Sequence, residues 1–165
     1  MKKVPVVREF MVTSLVTLRP EQPIREAIEV LLKNRISGAP VVDASGNLVG
    51  MLSEKDCLRV FANAAFYNTD PGDVDDYMSR SVQSIEPEAD LFRAADAFLK
   101  HSFRRLPVVE NGKMIGQISR RDVLNASRQL ADASPVAKPW TDAKYLTDEV
   151  KAALADKPAS RDNAT

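Results

Sequence analysis

The chain has 165 residues, 44% hydrophobic and 28% charged, the balance of a globular domain and not of a disordered chain. Its 23 Lys and Arg equal its 23 Asp and Glu, so it lacks the basic excess needed to grip a nucleic-acid backbone. Cys57 is the only cysteine, which excludes an intrachain disulfide and fits a reducing cytoplasm. No apolar run approaches the ~20 residues of a membrane helix, and Val4–Val7 is broken by Pro5 and followed by Arg8 and Glu9, so neither a signal peptide nor a membrane partner is expected.

In chain order, Val16-Thr17-Leu18 is a short extended piece stopped by Pro20. Ile24, Ala27, Ile28, Leu31 and Leu32 then fall at helical spacing. Ala39 to Val42 reads as a strand with proline near its start, where a strand tolerates it. Asp43 to Asn47 is a hairpin turn, Leu48 to Leu52 the return strand, and a second helix runs from about Glu54 to Phe66. Residues 68–75, with Pro71 and Gly72, read as a linker.

The same series then returns. Gln83-Ser84-Ile85 is extended and stopped by Pro87; Leu91, Ala94, Ala95, Phe98 and Leu99 have helical spacing. Leu106 to Val109 and Met114 to Ile118 flank an Asn111-Gly112 turn, the stronger hairpin signal, and a last helix runs from about Arg120 to Leu130. Beyond it Trp140 is expected to anchor a tail, Tyr145 to Leu154 to form a short helix, and Lys157 to Thr165 to be disordered.

Internal repeats are the main signal. Met11, Pro20, Glu21, Ala27, Leu32-Lys33 and Pro40-Val41-Val42 meet Met78, Pro87, Glu88, Ala94, Leu99-Lys100 and Pro107-Val108-Val109 at one constant spacing. One residue is lost in the turn, after which Gly50, Ser53 and Asp56 meet Gly116, Ser119 and Asp122. A register whose only slip falls in a turn indicates duplication. The expected fold is α/β (α+β), a pseudo-two-fold tandem pair with strand-helix-strand-strand-helix in each copy. Its bounds are 6–67 and 76–130, with 131–165 a C-terminal extension. A unit of roughly 55 residues buries too little surface alone, so the two share one module.

Ile36-Ser37-Gly38-Ala39-Pro40-Val41-Val42 followed by Gly50-Met51-Leu52-Ser53-Glu54-Lys55-Asp56, matched by Phe103 to Val109 and Gly116 to Asp122, resembles the CBS-domain family over about Val6 to Ala126. The resemblance implies a compact pair with two clefts that commonly dimerises into a disc. It implies AMP, ADP, ATP or S-adenosylmethionine as a regulatory ligand, with no cofactor required, and control of a partner protein that the sequence does not name.

Gly-x-x-Ser-x-x-Asp has its own chemistry. Gly50 and Gly116 allow a close approach to the backbone. Ser53 and Ser119 end a strand and open a helix, whose free N–H groups suit a phosphate. Asp56 and Asp122 lie one turn in, where a carboxylate can accept ribose hydroxyls. The same spacing is also close to a capping box that needs no ligand. The second copy adds Arg104 and Arg105 before Pro107, and Arg120 and Arg121 in the first helical turn. Cations there oppose the helix dipole and would be offset by a bound polyanion, so this cleft is expected to prefer the more highly charged nucleotide. The first copy has Ser37, Gly38, Glu54 and Lys55 at those places. The resemblance further implies that the main chain of Ala39-Pro40 and Leu106-Pro107, with Thr17 or Ser84, surrounds the base.

His101, at a helix end, is expected to be a surface residue, and Cys57, at the place of Val123, a buried apolar thiol. One histidine and one cysteine make no zinc set, and Asp70, Asp73, Asp75 and Asp76 read as solvated linker without the calcium-loop pattern. No nucleophile–base pair or paired acids suggest an enzyme. The expectation is a nucleotide-responsive regulatory homodimer, since Leu58, Phe61 and Val123 are left for burial; the alternative is a constitutive dimerisation module without ligand.

Overall fold

In the computed structural model, which describes residues 4–67 and 71–132, the regular elements are α1 (Ile24–Asn34), β1 (Gly38–Val42), β2 (Leu48–Ser53), α2 (Glu54–Tyr67), α3 (Leu91–Lys100), β3 (Arg105–Glu110), β4 (Lys113–Ser119) and α4 (Arg120–Asp132). Trp140 and the expected helix at 145–154 lie outside the described residues. Among the described residues no helix is long and apolar enough to cross a membrane.

Helix α1 buries Ile24, Ala27 and Leu31 on one face and ends where Arg35 turns left-handed, its N–H donating to Leu31 and Leu32 carbonyls. Helix α3 buries Leu91, Ala94 and Phe98 and starts at Asp90, whose carboxylate accepts from the Arg93 N–H (2.8 Å). Strands β1 and β2 pair antiparallel, as do β3 and β4. The first hairpin closes on Asp43, which accepts from Ser45 N, Asn47 N and Asn47 Nδ2 at 2.8, 2.9 and 2.8 Å. The second closes on Asn111-Gly112, both at positive φ (52° and 81°) as a tight hairpin turn requires.

The extended pieces before α1 and α3 shrink to single parallel bridges, Leu18 to Val41 and Ile85 to Val108. Only Leu18 and Ile85 reach the sheets because the chain arrives from the other repeat. Val12 bridges Gln117 of the second repeat, whereas Ser79 bridges Met51 of the first. The crossing is reciprocal. The 3-10 turn Val7–Glu9 delivers a fully buried Val7 into the core of Leu91, Leu106, Val108 and Ile118. The turn Val74–Asp76 delivers a fully buried Val74 into the core of Ile24, Leu31, Val41 and Leu52. Backbone bonds fix each exchange, Val7 N to Ala89 O (2.8 Å) in one and Val74 N to Gln22 O (2.9 Å) in the other. The described part of the stretch read as linker is therefore packed structure. Its Asp73 N donates to Asp76 Oδ2 (2.9 Å) and its Asp75 pairs with Arg80 (2.7 Å).

This interlocking explains the paired glycines. A Cβ on Gly116 would lie 2.6 Å from Met11 Sδ, and one on Gly50 would collide with Met78 Sδ. The close approach expected at these positions is made by a methionine of the crossing segment, not by a ligand.

Candidate functional site: the cleft between the repeats

After Val12 leaves the second repeat, the chain crosses to the first and walls a cleft of about 260 Å³. From the first repeat come Val12, Ser14, Leu15, Val16, Ile36 and Gly38; from the second, Arg105, Gln117, Ser119 and Asp122. The first repeat contributes mostly apolar residues. The second contributes Ser119 and Asp122, at the start of α4, and Arg105, which begins β3 and pairs with Ser119.

The Ser-x-x-Asp pairs are built identically in both repeats. Ser53 N and Oγ donate to Asp56 Oδ2 (2.9 and 2.6 Å), and Asp56 N donates to Ser53 Oγ (3.3 Å). Ser119 and Asp122 repeat this at 2.8, 2.6 and 3.2 Å. Each is a reciprocal cap of the following helix, with aspartate in the usual glutamate place. The cap holds each carboxylate by one oxygen. A carboxylate has about four acceptor sites, so Asp122, which lines the cleft, keeps capacity for a ligand hydroxyl.

These duplicated caps, glycines and hairpins coincide with a direct family match: the CBS domain matches residues 7–63 and again 74–129. The chain belongs to the CBS-domain family. It is 34% identical over 118 residues to the protein MJ1225 of Methanocaldococcus jannaschii, covering 72% of this chain and 41% of that one. It is 31% identical over 129 residues to the CBS domain-containing protein YhcV of Bacillus subtilis, covering 78% and 88%. Among solved structures, CBSX2 in complex with AMP is 32% identical with a TM-score of 0.68, covering 76% of this chain and 98% of that one. The chain thus spans less than half of one curated relative and most of another.

Within this CBS pair the expected site residues separate. Gly38, Arg105, Ser119 and Asp122 come together in one cleft. Ala39 and Leu106 point into the two cores, so only their main chain can face a ligand, and Pro40 and Pro107 are buried beside them. Thr17, Ser37, Ser84, Arg104 and Arg121 are exposed and do not line this cleft. Ser53 and Asp56 are not among the residues that line it, although Ser53 pairs with Gly38.

Arg120 departs from its expected place along a phosphate chain. Its guanidinium donates to the carbonyls of Phe98 (3.4 Å) and His101 (3.1 Å) at the end of α3. A cation is favourable at a helix C-terminus, so the awkward charge at the start of α4 is satisfied within the chain. His101 itself stacks on Phe103, ring centroids 5.1 Å apart. Cys57 is only partly buried, between α1 and α2; burial pushes its thiol upward, helped by Asp56 and Glu54.

Val12, Ser14, Leu15, Val16, Ile36 and Gln117 were not among the expected site residues. Their signal was the duplicated start of each copy, Met11-Val12-Thr13-Ser14 against Met78-Ser79-Arg80-Ser81. It marked a repeat boundary without showing that the boundary crosses between repeats.

Proposed function

We propose that the chain is a regulatory module of the cytoplasm that binds an adenosine nucleotide in the Asp122 cleft and, as a homodimer, modulates a partner protein. The carrying observation is the cleft itself: Val12, Leu15, Val16 and Ile36, suited to a flat ring, line it together with Asp122, suited to ribose hydroxyls, and Arg105, suited to phosphate. Ligand sites usually run about 300–1,000 Å³, so this small cleft suits a mononucleotide better than a dinucleotide. AMP is the best fit among AMP, ADP, ATP and S-adenosylmethionine. One guanidinium, that of Arg105, lines the cleft, since Arg120 is turned to α3; a sulfonium cation would face Arg105 unfavourably. A relative crystallised with AMP supports the same class. The hydroxyl–carboxylate pair in the cleft, Ser119 with Asp122, is spent on capping α4, which favours a regulatory role.

Thermal melting with and without AMP tests this reading. A ligand that binds only the folded state adds ~2.7 kcal/mol at 100 times its dissociation constant. Calorimetry should show that Arg105→Gln weakens AMP about tenfold or more, the loss of one charge-assisted bond of about 1.5–3 kcal/mol, while adenosine is little affected. The competing reading is a constitutive interaction module, favoured by the fact that the Ser–Asp pairs already cap their helices without a ligand. No shift with millimolar AMP would select it.

A further inference from the structure

Three of the apolar residues that line the Asp122 cleft, Val12, Leu15 and Val16, come from one short irregular span. The span is fixed at its ends. At one end Val12 N donates to Gln117 O (2.8 Å) and Gln117 N to Val12 O (2.9 Å). At the other Leu18 N donates to Pro40 O and Val42 N to Leu18 O, both at 2.9 Å. Among the described residues, Thr13 to Thr17 make no backbone hydrogen bond. A span without a ladder of its own lies where its anchors hold it. Leu18 is buried in the first core, whereas Val12 is 48% exposed and takes its place from the residue before it. Met11 N donates to the carbonyl of the fully buried Val7 (2.9 Å), and the Met11 side chain lies over Gly116 of β4. A Cβ on Gly116 would meet Met11 Cγ at 3.1 Å and Val12 O at 3.2 Å, besides Met11 Sδ. A side chain there would lift Val12 off Gln117 and carry the span with it.

We propose that Gly116 and Met11 are positioning residues for the ligand. Neither lines the cleft. The methionine packed over the glycine sets how far Val12, Leu15 and Val16 stand from Asp122 and Arg105, and so how tightly the ring of a nucleotide is held. The inference rests on the nucleotide reading of this cleft and deepens it: affinity is controlled from behind the wall. The first repeat supplies a control of the same construction. There a Cβ on Gly50 would collide with Met78 Sδ and meet Ser79 O at 3.2 Å, and Met51 and Ser79 exchange two backbone bonds of 2.9 Å. The packing is equivalent, but neither Met78 nor Ser79 lines the Asp122 cleft.

The test compares Gly116→Ala with Gly50→Ala in the full chain, by calorimetric titration of AMP and of adenosine well below the melting temperature of each variant. Gly116→Ala should weaken both ligands about fivefold or more, the cost of a displaced positioning element. The two factors should be equal, because the span meets the ring and not the phosphate; Arg105→Gln, by contrast, should affect AMP alone. Gly50→Ala should stay within about twofold of wild type, as a change remote from the cleft. Met11→Ala added to Gly116→Ala should restore most of the lost affinity, since it removes the side chain in conflict. Equal losses in the two glycine variants, or full affinity in Gly116→Ala, would overturn the inference while leaving the nucleotide reading intact. If Gly116→Ala does not fold, Met11→Ala against Met78→Ala carries the same comparison, and only the first should weaken adenosine. A wild-type protein that binds neither ligand would overturn the nucleotide reading, and this inference with it.

Discussion

The two repeats share their scaffold and differ at their surfaces. Both have the same capped Ser-x-x-Asp helix start, the same glycine under a methionine, and a buried valine donated by the other copy. At the cleft, β1 begins with Gly38 and β3 with Arg105. On the helices Phe61 and Glu54 stand against Ser127 and Arg120. The comparison teaches that duplicated residues can hold one fold while the two copies present different charge and bulk at the cleft and on the helix surfaces.

The largest effects should come from the shared scaffold. Leu52→Ala and Ile118→Ala, each at a fully buried position, should each cost about 2–5 kcal/mol. Because Val7 and Val74 are exchanged between the repeats, urea unfolding followed by fluorescence and circular dichroism should give one common transition for either variant. Two separated transitions would show that the repeats are independent. Gly50→Ala and Gly116→Ala should cost about 1–3 kcal/mol through overpacking. Met11→Ala should relieve the second but not the first, a coupling that a double-mutant cycle on denaturation midpoints measures.

A sharper test separates scaffold from site. Asp56→Ala and Asp122→Ala should each lose a similar cap contribution, about 0.5–2 kcal/mol, seen in thermal melts. Only Asp122→Ala should weaken AMP by tenfold or more in calorimetry; equal losses at both would erase the difference between clefts. The smallest effect concerns the hairpins. Hydrogen bonds from Asn47 hold the Asp43 carboxyl below its ordinary value. Its contribution is therefore present above the usual carboxylate range and lost as pH falls through the lowered value. The equivalent Glu110 accepts a bond from Arg8 instead (2.5 Å). An NMR pH titration should show the first turn protonating below a free aspartate, and a normal Asp43 titration would refute it.

The sequence by itself determined the duplication, the helix and hairpin order, the family and the local Ser–Asp chemistry. All of these are written in short-range spacing: helical periodicity, a turn between two strands, and a serine three residues before an aspartate. It also placed Arg105, Ser119 and Asp122 in one candidate site. The tertiary structure decided what spacing cannot carry. It sent Val7 and Val74 across to the opposite cores, because a buried valine is specified by the cavity it fills and not by its neighbours in the chain. It made Val12 to Val16 a cleft wall, and it turned Arg120 from the cleft to the carbonyls of α3, because a long guanidinium goes to acceptors that only the packed helices bring within reach.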